Sequence, residues 1–191
     1  MGSTRFRPLA TLLSLTSRLR RDRRGITAVE FALVAPFALL LLFGEFTLTQ
    51  AMSIKRKLTI TAHTIGDLVA QQADVSTSLT TLLNASSQVI SPYSNANLSM
   101  VVSELYTDAK GNTTVTWSGA FNGTALTQGS KFVLPAGLAQ NSTYLIYSVG
   151  TYTYTPILGQ SVFGSTMNFN SQFYINPRNY ACVKNTNLQA C

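Results

Sequence analysis

The sequence predicts an α+β fold, in which a long N-terminal membrane-spanning helix precedes a second helix and an antiparallel sheet of about four strands. The first observation behind this prediction is an apolar run of membrane length after Gly25. The second is a helical spacing of apolar residues beyond that run, and the third is strand-like alternation from Asn97 onward. These features divide the chain into a basic leader at 1–25, a transmembrane and extended helix at 26–72, and an α+β domain at 73–191.

The positive charge of the chain is concentrated in its first 25 residues. The 191 residues carry a net charge of +7, and residues 1–25 supply +6 of it through seven arginines and Asp22. The other 166 residues are nearly neutral, at +1. A globular protein that binds nucleic acid needs a basic face on its folded domain. The charge distribution therefore predicts no nucleic-acid partner and gives the leader a separate role.

The apolar run over Ile26–Phe46 has the length of a membrane span. Its 21 residues rise about 31 Å as a helix, and the hydrocarbon of a bilayer is about 30 Å thick. Seven arginines precede the run and three cations follow it at 55–57, so the positive-inside rule directs the N-terminus to the cytoplasm. Residues after about 50 are then expected in the periplasm or outside the cell.

Three interpretations of the apolar run are open at this point. A secretory signal peptide would be cut after the run, where residues 49–51 (TQA) offer a weak site. A plain single-span anchor would stay uncut. The third interpretation is processing before the run, at the junction where the arginines and Gly25 meet Ile26.

The remaining elements follow from residue spacing. Apolar residues at steps of three and four continue the first helix to about residue 72, and Asp74 is expected as the N-cap of a second helix over about 75–90. Pro92 ends that helix. Four segments with alternating polarity are expected as strands of one antiparallel sheet, with one face packed on the helices. They are Leu98–Tyr106, Thr113–Trp117, Tyr144–Thr155 and Met167–Ile175, and the loop Asp108–Asn112 joins the first two.

The junction before the apolar run resembles the class III leader of type IV prepilins and pseudopilins. Arg23 and Arg24 precede Gly25, the apolar run begins at Ile26, and Glu30 is the fifth residue after the glycine. In that family a membrane aspartyl peptidase cuts after the glycine on the cytoplasmic side. The resemblance implies that Gly25 is the last leader residue, that Ile26 is the new N-terminus, and that Glu30 is the acid of the fifth mature position.

Glu30 is costly where it stands. A carboxylate at the centre of a membrane helix costs about 2.5–3.5 kcal/mol, so it persists with a partner or a role. A free α-amino group at Ile26 would pair with the Glu30 carboxylate, either within the chain or from a neighbouring subunit. The Glu30 carboxylate would also lie near a helix N-terminus, where negative charge is favoured. The alternative is that Glu30 reaches the cytoplasmic interface and has no further role.

Further motifs resemble the TadE/TadG-like family of minor pseudopilins, which belong to tight-adherence (Flp-type) pilus machines. The most recognisable stretch is RGITAVEFA at 24–32, followed by Pro36 and a leucine run. Matches to VTWS at 115–118, LPAGL at 134–138 and YTYTP at 152–156 follow in the family's order. Pro177 and Arg178 stand where the family often ends in Arg-Pro-Arg, with Asn176 in place of the first arginine. The chain has no room for the von Willebrand-type domain of the longer TadG proteins, so the TadE-like subgroup fits better.

No residue pattern indicates an enzyme, a cofactor or a metal site. The single histidine, His63, is expected as a surface or packing residue of the long helix, and Glu104 and Asp108 as solvated surface acids near one hairpin. Two cysteines and a remote histidine are too few ligands for a metal. Outside the cytoplasm, Cys182 and Cys191 favour a disulfide that ties down the C-terminal tail, with free thiols as the alternative.

The resemblance implies a minor pseudopilin of a tight-adherence (Flp, type IVc) machine. It would be a single-pass protein of the bacterial inner membrane with a cytoplasmic N-terminus and a periplasmic, pilin-like domain that supports pilus biogenesis and adhesion. Its expected partners are the membrane, a prepilin peptidase, other pilin-like subunits and the tight-adherence machinery, with no small-molecule substrate. The rival interpretations are a membrane-anchored periplasmic binding module that enters no fibre and a secreted protein.

Overall fold

The computed structural model describes residues 25–156 and 166–185, so residues 1–24, 157–165 and 186–191 lie outside the described part of the chain. Two α-helices, one short 3-10 helix and four strands follow in order. They are α1 (Ile26–Ala70), α2 (Leu79–Val89), the 3-10 helix (Asn95–Asn97), β1 (Leu98–Thr107), β2 (Thr113–Phe121), β3 (Thr143–Tyr154) and β4 (Met167–Ile175). The predicted α+β architecture is confirmed.

The four strands form one antiparallel sheet in the order β2-β1-β3-β4. The first two strands make a hairpin, whose loop is organised by Asp108. The Oδ2 atom of Asp108 accepts a hydrogen bond from Nδ2 of Asn112 at 3.0 Å, and its Oδ1 atom accepts from the N–H groups of Asn112 and Lys110, both at 2.8 Å. These bonds, the one from the Asn112 side chain first, hold the pKa of the Asp108 carboxyl below its ordinary value. Gly111 supplies the positive φ of 84° that the turn requires.

Two compact units divide the chain between Phe46 and Thr47. In the first unit, the large apolar side chains of Ile26–Phe46 are exposed on all sides of the helix. In the second unit, α1 buries only one face, which repeats at three and four residue steps through Ala51, Ile54, Leu58, Ile65 and Val69. The two parts of α1 thus differ in burial, although the backbone stays helical throughout.

The main core of the second unit lies between this buried helical face and the sheet. Residues from α1, α2 and three strands form one cluster, which includes Leu83, Met100, Trp117, Ile146 and Tyr152. Two glycines allow close packing of helix on sheet: a Cβ at Gly66 would lie 2.9 Å from Cδ1 of Phe173, and one at Gly150 would lie 2.8 Å from Cδ1 of Leu58. The opposite face of the sheet carries a smaller cluster around Leu105, Val115 and Tyr147, which Leu126, Phe132 and Leu134 of the β2–β3 connection pack against.

The second helix begins later than its sequence predicts. Asp74 was the expected N-cap, but α2 starts at Leu79 with Ser78 in the N-cap position. Oδ1 of Asp74 instead accepts the N–H of Ser76 at 2.7 Å and so caps a turn before the helix. The later start of α2 has a tertiary cause, because the N–H of Val75 donates to the carbonyl of Lys184 at 2.9 Å and holds the residues before the helix extended.

Strand β2 runs four residues beyond its predicted end at Trp117, as far as Phe121. The added residues are mostly small, and small residues carry little strand propensity. Their size suits the packing of α2, because a Cβ at Gly119 would lie 2.7 Å from Cδ2 of Leu79. Close approach of the helix, rather than propensity, accounts for this part of the strand.

The close approach at Gly150 predicts an intolerance of side chains there. Gly150→Val would place methyl groups against Leu58 and Met100, whose nearest atoms are 2.8 and 2.9 Å from the built Cβ. Overpacking of this kind costs about 1–3 kcal/mol, so we expect a Tm lower by several degrees. Thr151→Val is the matched control, because Thr151 is the exposed next residue of the same strand. Thermal unfolding of the full chain in detergent, followed by the fluorescence of Trp117, measures both. Equal Tm values for the two variants would contradict the packing described here.

Candidate functional site

The segment Ile26–Phe46 is the first candidate site. Among the residues that the structure describes, α1 is the one helix long and apolar enough to cross a membrane. All large apolar side chains between Ile26 and Leu42 are at least half exposed. A helix whose large apolar side chains are exposed on all sides is suited to lipid contact. The chain is therefore built for single-pass membrane anchoring.

The predicted processing residues lie at the start of this helix. Gly25 immediately precedes α1, and Ile26 is the first residue of the helix. A Cβ built at Gly25 would meet no atom of the described residues within 4 Å. Glu30 lies just over one turn into the helix and is exposed. The roles of these three residues in processing and assembly stay predictions.

A second constellation, which the sequence did not predict, surrounds the backbone of Val183 in the other unit. The N–H of Val183 donates to Oε1 of Glu104 at 2.6 Å, and its carbonyl accepts the indole Nε1–H of Trp117 at 2.7 Å. Thr116 donates from Oγ1 to Oε2 of Glu104 at 3.0 Å. We call these contacts the tail clasp. Val183, Glu104 and Trp117 are all buried, so the tail clasp closes the domain and offers no access to a substrate.

The sheet geometry brings the tail clasp together. Glu104 on β1 is the register partner of Trp117 on β2, and the register then shifts by one residue between Glu104 and Leu105. The shift leaves Thr116 as the extra residue of a β-bulge, and bulges redirect side chains in this way. Thr116 also donates to the backbone carbonyl of Glu104 at 2.8 Å. The bulge therefore adds a hydrogen-bond donor at the buried carboxyl.

Burial changes the titration of Glu104. The loss of solvation raises the pKa of the Glu104 carboxyl from an ordinary 4.5 to about 7, while hydrogen bonds from Val183 and Thr116 lower it. The expectation that Glu104 is a solvated surface acid was wrong. The alternation of side chains along a strand explains the burial of Glu104. Met100, Val102 and Glu104 share one face of β1, and the first two face the core. Applied to Glu104, that alternation would have found the burial.

The same C-terminal tail also caps α1. The N–H of Arg178 donates to the carbonyl of Ala70 at 2.8 Å, and Nδ2 of Asn179 donates to the carbonyl of Gln71 at 3.0 Å. The last carbonyls of a helix have no partner within the helix, so these bonds satisfy them. Arg178 further pairs with Asp67 at 2.6 Å. Arg178 thus holds the tail to the end of α1.

His63 and the two cysteines were also singled out from the sequence. His63 is exposed and stacks on Phe173 with ring centroids 3.9 Å apart, consistent with the packing role expected for it. Cys182 is not a free thiol, but Cys191 lies outside the described residues, so their pairing stays a prediction. Within the described ranges, no three residues among His, Cys, Asp and Glu come together as a metal site.

The buried Glu104 predicts a specific pH dependence of stability. Because the pKa of Glu104 is about 7 in the folded chain and 4.5 as its ordinary value, its contribution is fully present below pH 4.5 and is lost as the pH rises to about 7. The loss is on the order of 3 kcal/mol. Glu104→Gln keeps an acceptor for the Val183 N–H without the charge, so the variant should match the natural chain near pH 5 and exceed its stability at pH 8.

The readout is the difference in unfolding free energy between the two proteins, measured by Trp117 fluorescence at pH 5, 7 and 8. Groups common to both proteins cancel in this difference, so it isolates Glu104. A difference that does not change with pH would contradict the buried position of the carboxyl.

Comparison with known proteins bears on the first candidate site. Residues 25–66 match the family described as TadE-like protein. The match begins at Gly25 and includes Ile26 and Glu30, and it ends within α1, before the sheet. Comparison with curated proteins found no significant match, and comparison with solved structures found none either. Residues 25–66 are therefore similar to the TadE-like family.

Proposed function

We propose that the chain is a minor pseudopilin of a tight-adherence pilus machine, trimmed after Gly25 by a prepilin peptidase. The observation that carries the proposal is the junction of Gly25 and Ile26. There a glycine precedes an apolar helix with an acid at its fifth position, and the TadE-like match begins at that glycine. The similarity of residues 25–66 to the TadE-like family supports a place with pilus machinery at the membrane.

The charge distribution supports an inner-membrane protein with a cytoplasmic N-terminus. Residues 1–25 carry a net charge of +6, and Lys55, Arg56 and Lys57 follow the apolar segment. The larger positive charge stays in the cytoplasm. The Gly25–Ile26 bond is then at the cytoplasmic end of the span, and the domain from Thr47 onward is in the periplasm.

The role proposed for Glu30 is assembly. Cleavage after Gly25 frees the α-amino group of Ile26, a positive charge that would neutralise Glu30 in the same chain or in a neighbour. Neutralisation offsets the cost of a carboxylate in lipid. Lateral packing of the exposed helix against other pilin-like helices would then support a surface fibre used in adhesion.

A membrane-anchored periplasmic binding module that never enters a fibre is the second candidate. One observation favours it: the family match ends at residue 66, so the sheet and the tail clasp lie outside the matched segment. Such a module would keep its leader. The state of the Gly25–Ile26 bond therefore separates the two candidates.

The first prediction concerns processing. Gly25→Leu should block cleavage, and the protein isolated from membranes should be heavier by residues 1–25. Because a Cβ at Gly25 meets no atom within 4 Å, the substitution does not disturb packing in the described chain. Intact-mass spectrometry of the natural chain and the variant is the measurement, with Ala28→Leu, inside the helix and outside the junction, as control. If the natural chain and Gly25→Leu differ only by the mass of the substitution, neither has lost the leader, and if their masses are identical, cleavage does not depend on Gly25. Either result would rule out the proposed peptidase step.

The second prediction concerns Glu30. Glu30→Ala should leave membrane insertion intact, because it removes a charge from an apolar segment, and should impair pilus assembly. Carbonate-resistant membrane association measures insertion, and electron microscopy of surface pili measures assembly. Val29→Ala, the neighbouring residue, is the control. Normal piliation in Glu30→Ala would remove the proposed role of this carboxylate.

A further inference from the structure

The C-terminal tail, residues 176–185, covers the buried carboxyl of Glu104. Glu104 is 1% exposed, and its Oε1 atom accepts the N–H of Val183 at 2.6 Å. Val183 is itself fully buried in the main core. Release of Val183 would remove a bond partner of Oε1 and open this side of the carboxyl to water, while β1 stays paired with β2 and β3.

The tail is held more lightly than the strands of the sheet. The N–H of Arg178 donates to the carbonyl of Ala70 at 2.8 Å. The N–H of Lys184 donates to the carbonyl of Ala73, and its carbonyl accepts the N–H of Val75, both at 2.9 Å. The second pair of bonds forms an isolated bridge, whereas β1 pairs with β3 over its whole length. A chain end held in this way opens at a lower free energy than the sheet does.

The strands around the Glu104 carboxyl give it no positive charge. Thr116 and Trp117 on β2 are uncharged. Tyr144 on β3 is a neutral phenol at neutral pH, because burial first, and then the nearby Glu104 charge, raise its pKa above the ordinary 10. The polar groups that the sheet places at the carboxyl are therefore neutral.

The helices and the tail provide no counter-ion within the described ranges. No nitrogen of a lysine, arginine or histidine side chain lies within 4 Å of a Glu104 oxygen, and the ion pair found there joins Arg178 of the tail to Asp67 of α1 at 2.6 Å. Helix α2 contains no ionisable residue. Lys184 follows Val183 directly, but it is part of the tail and leaves with it. A carboxylate in the closed domain is therefore buried without an ion pair, at a cost that hydration relieves.

We propose that the tail is a strap that closes over protonated Glu104 and opens locally when Glu104 loses its proton to water. Opening hydrates the carboxylate. It also uncovers groups that bond the tail in the closed form, among them the indole N–H of Trp117 and the N–H of Val75. The helices and the sheet keep their fold. This inference is independent of the proposed processing at Gly25.

The closed tail holds the Glu104 proton more tightly than the open tail does. Burial raises the pKa of Glu104 to about 7 in the closed form, and an open, hydrated carboxyl returns to the ordinary 4.5. The closed form is therefore fully favoured below pH 4.5 and is weakened as the pH rises to about 7, above which the opening equilibrium levels off. Between pH 5 and pH 8 the equilibrium constant for opening should rise about 70-fold.

Amide hydrogen exchange of the full chain in detergent, resolved by NMR, tests the strap. The amides of Val183 and Lys184 report on the tail and those of β1 on the sheet. Each is expressed as a protection factor, which removes the intrinsic pH dependence of exchange. Protection of the tail amides should fall about 70-fold from pH 5 to pH 8 and level off above about pH 7. At pH 8 it should be at least about tenfold lower than the protection of β1, because the tail opens without the sheet.

Two variants separate the ionisation of Glu104 from other causes. Glu104→Gln cannot ionise, so the protection of its tail should change less than about twofold over the same pH range. Thr116→Val removes the bond that, next to the bond from Val183, lowers the pKa of Glu104, so its tail protection should level off at a higher pH than in the natural chain.

Four results would each overturn the strap. In the natural chain they are tail protection that is the same at pH 5 and pH 8, and tail protection that matches the protection of β1 at pH 8. In the variants they are an equal fall in Glu104→Gln and an unchanged levelling pH in Thr116→Val. The natural chain decides the first two results whether or not the variants fold.

Discussion

Helix α1 has a first part suited to lipid and a second part that packs in a protein core, along one continuous backbone. The rest of the structure depends on this constraint. In hydrocarbon a helix satisfies its own backbone hydrogen bonds, so Ile26–Phe46 needs no other element for that purpose, and its large apolar side chains are exposed on all sides. From Thr47 onward α1 buries one face, which packs in the core with residues of α2 and the sheet. The position of the change in burial, between Phe46 and Thr47, also separates the two compact units.

The second unit is closed by contacts between residues distant in sequence. The tail supplies hydrogen-bond donors to the end of α1 through Arg178 and Asn179. The tail clasp holds the backbone of Val183 through Glu104 and Trp117 of the sheet. One of the clasp residues is a carboxyl whose pKa burial raises to about 7. Ionisation of this buried acid lowers the stability of the domain. The hydrogen bonds to its carboxyl offset part of that cost and hold the tail in one arrangement.

Much of the fold could be predicted from the sequence, because its signals are local. Apolar length identified the segment Ile26–Phe46, and alternation located all four strands, with β4 at its observed bounds. The start of α2 and the end of β2 could not be predicted, since the first depends on a bond from Val75 to Lys184 and the second on packing against Leu79. In the candidate site, Glu30 was evident from its apolar surroundings. The tail clasp joins residues 79 positions apart and had no local signal beyond the alternation at Glu104.

The central claim is that α1 is a membrane anchor with a free amino terminus at Ile26, created by removal of the leader. N-terminal sequencing of the natural protein purified from membranes tests it most directly. The account predicts that the first residue is Ile26. A sequence that begins at Met1 would contradict processing and favour the anchored binding module. A start near Met52 would contradict the membrane anchor itself, because the apolar segment would have been removed.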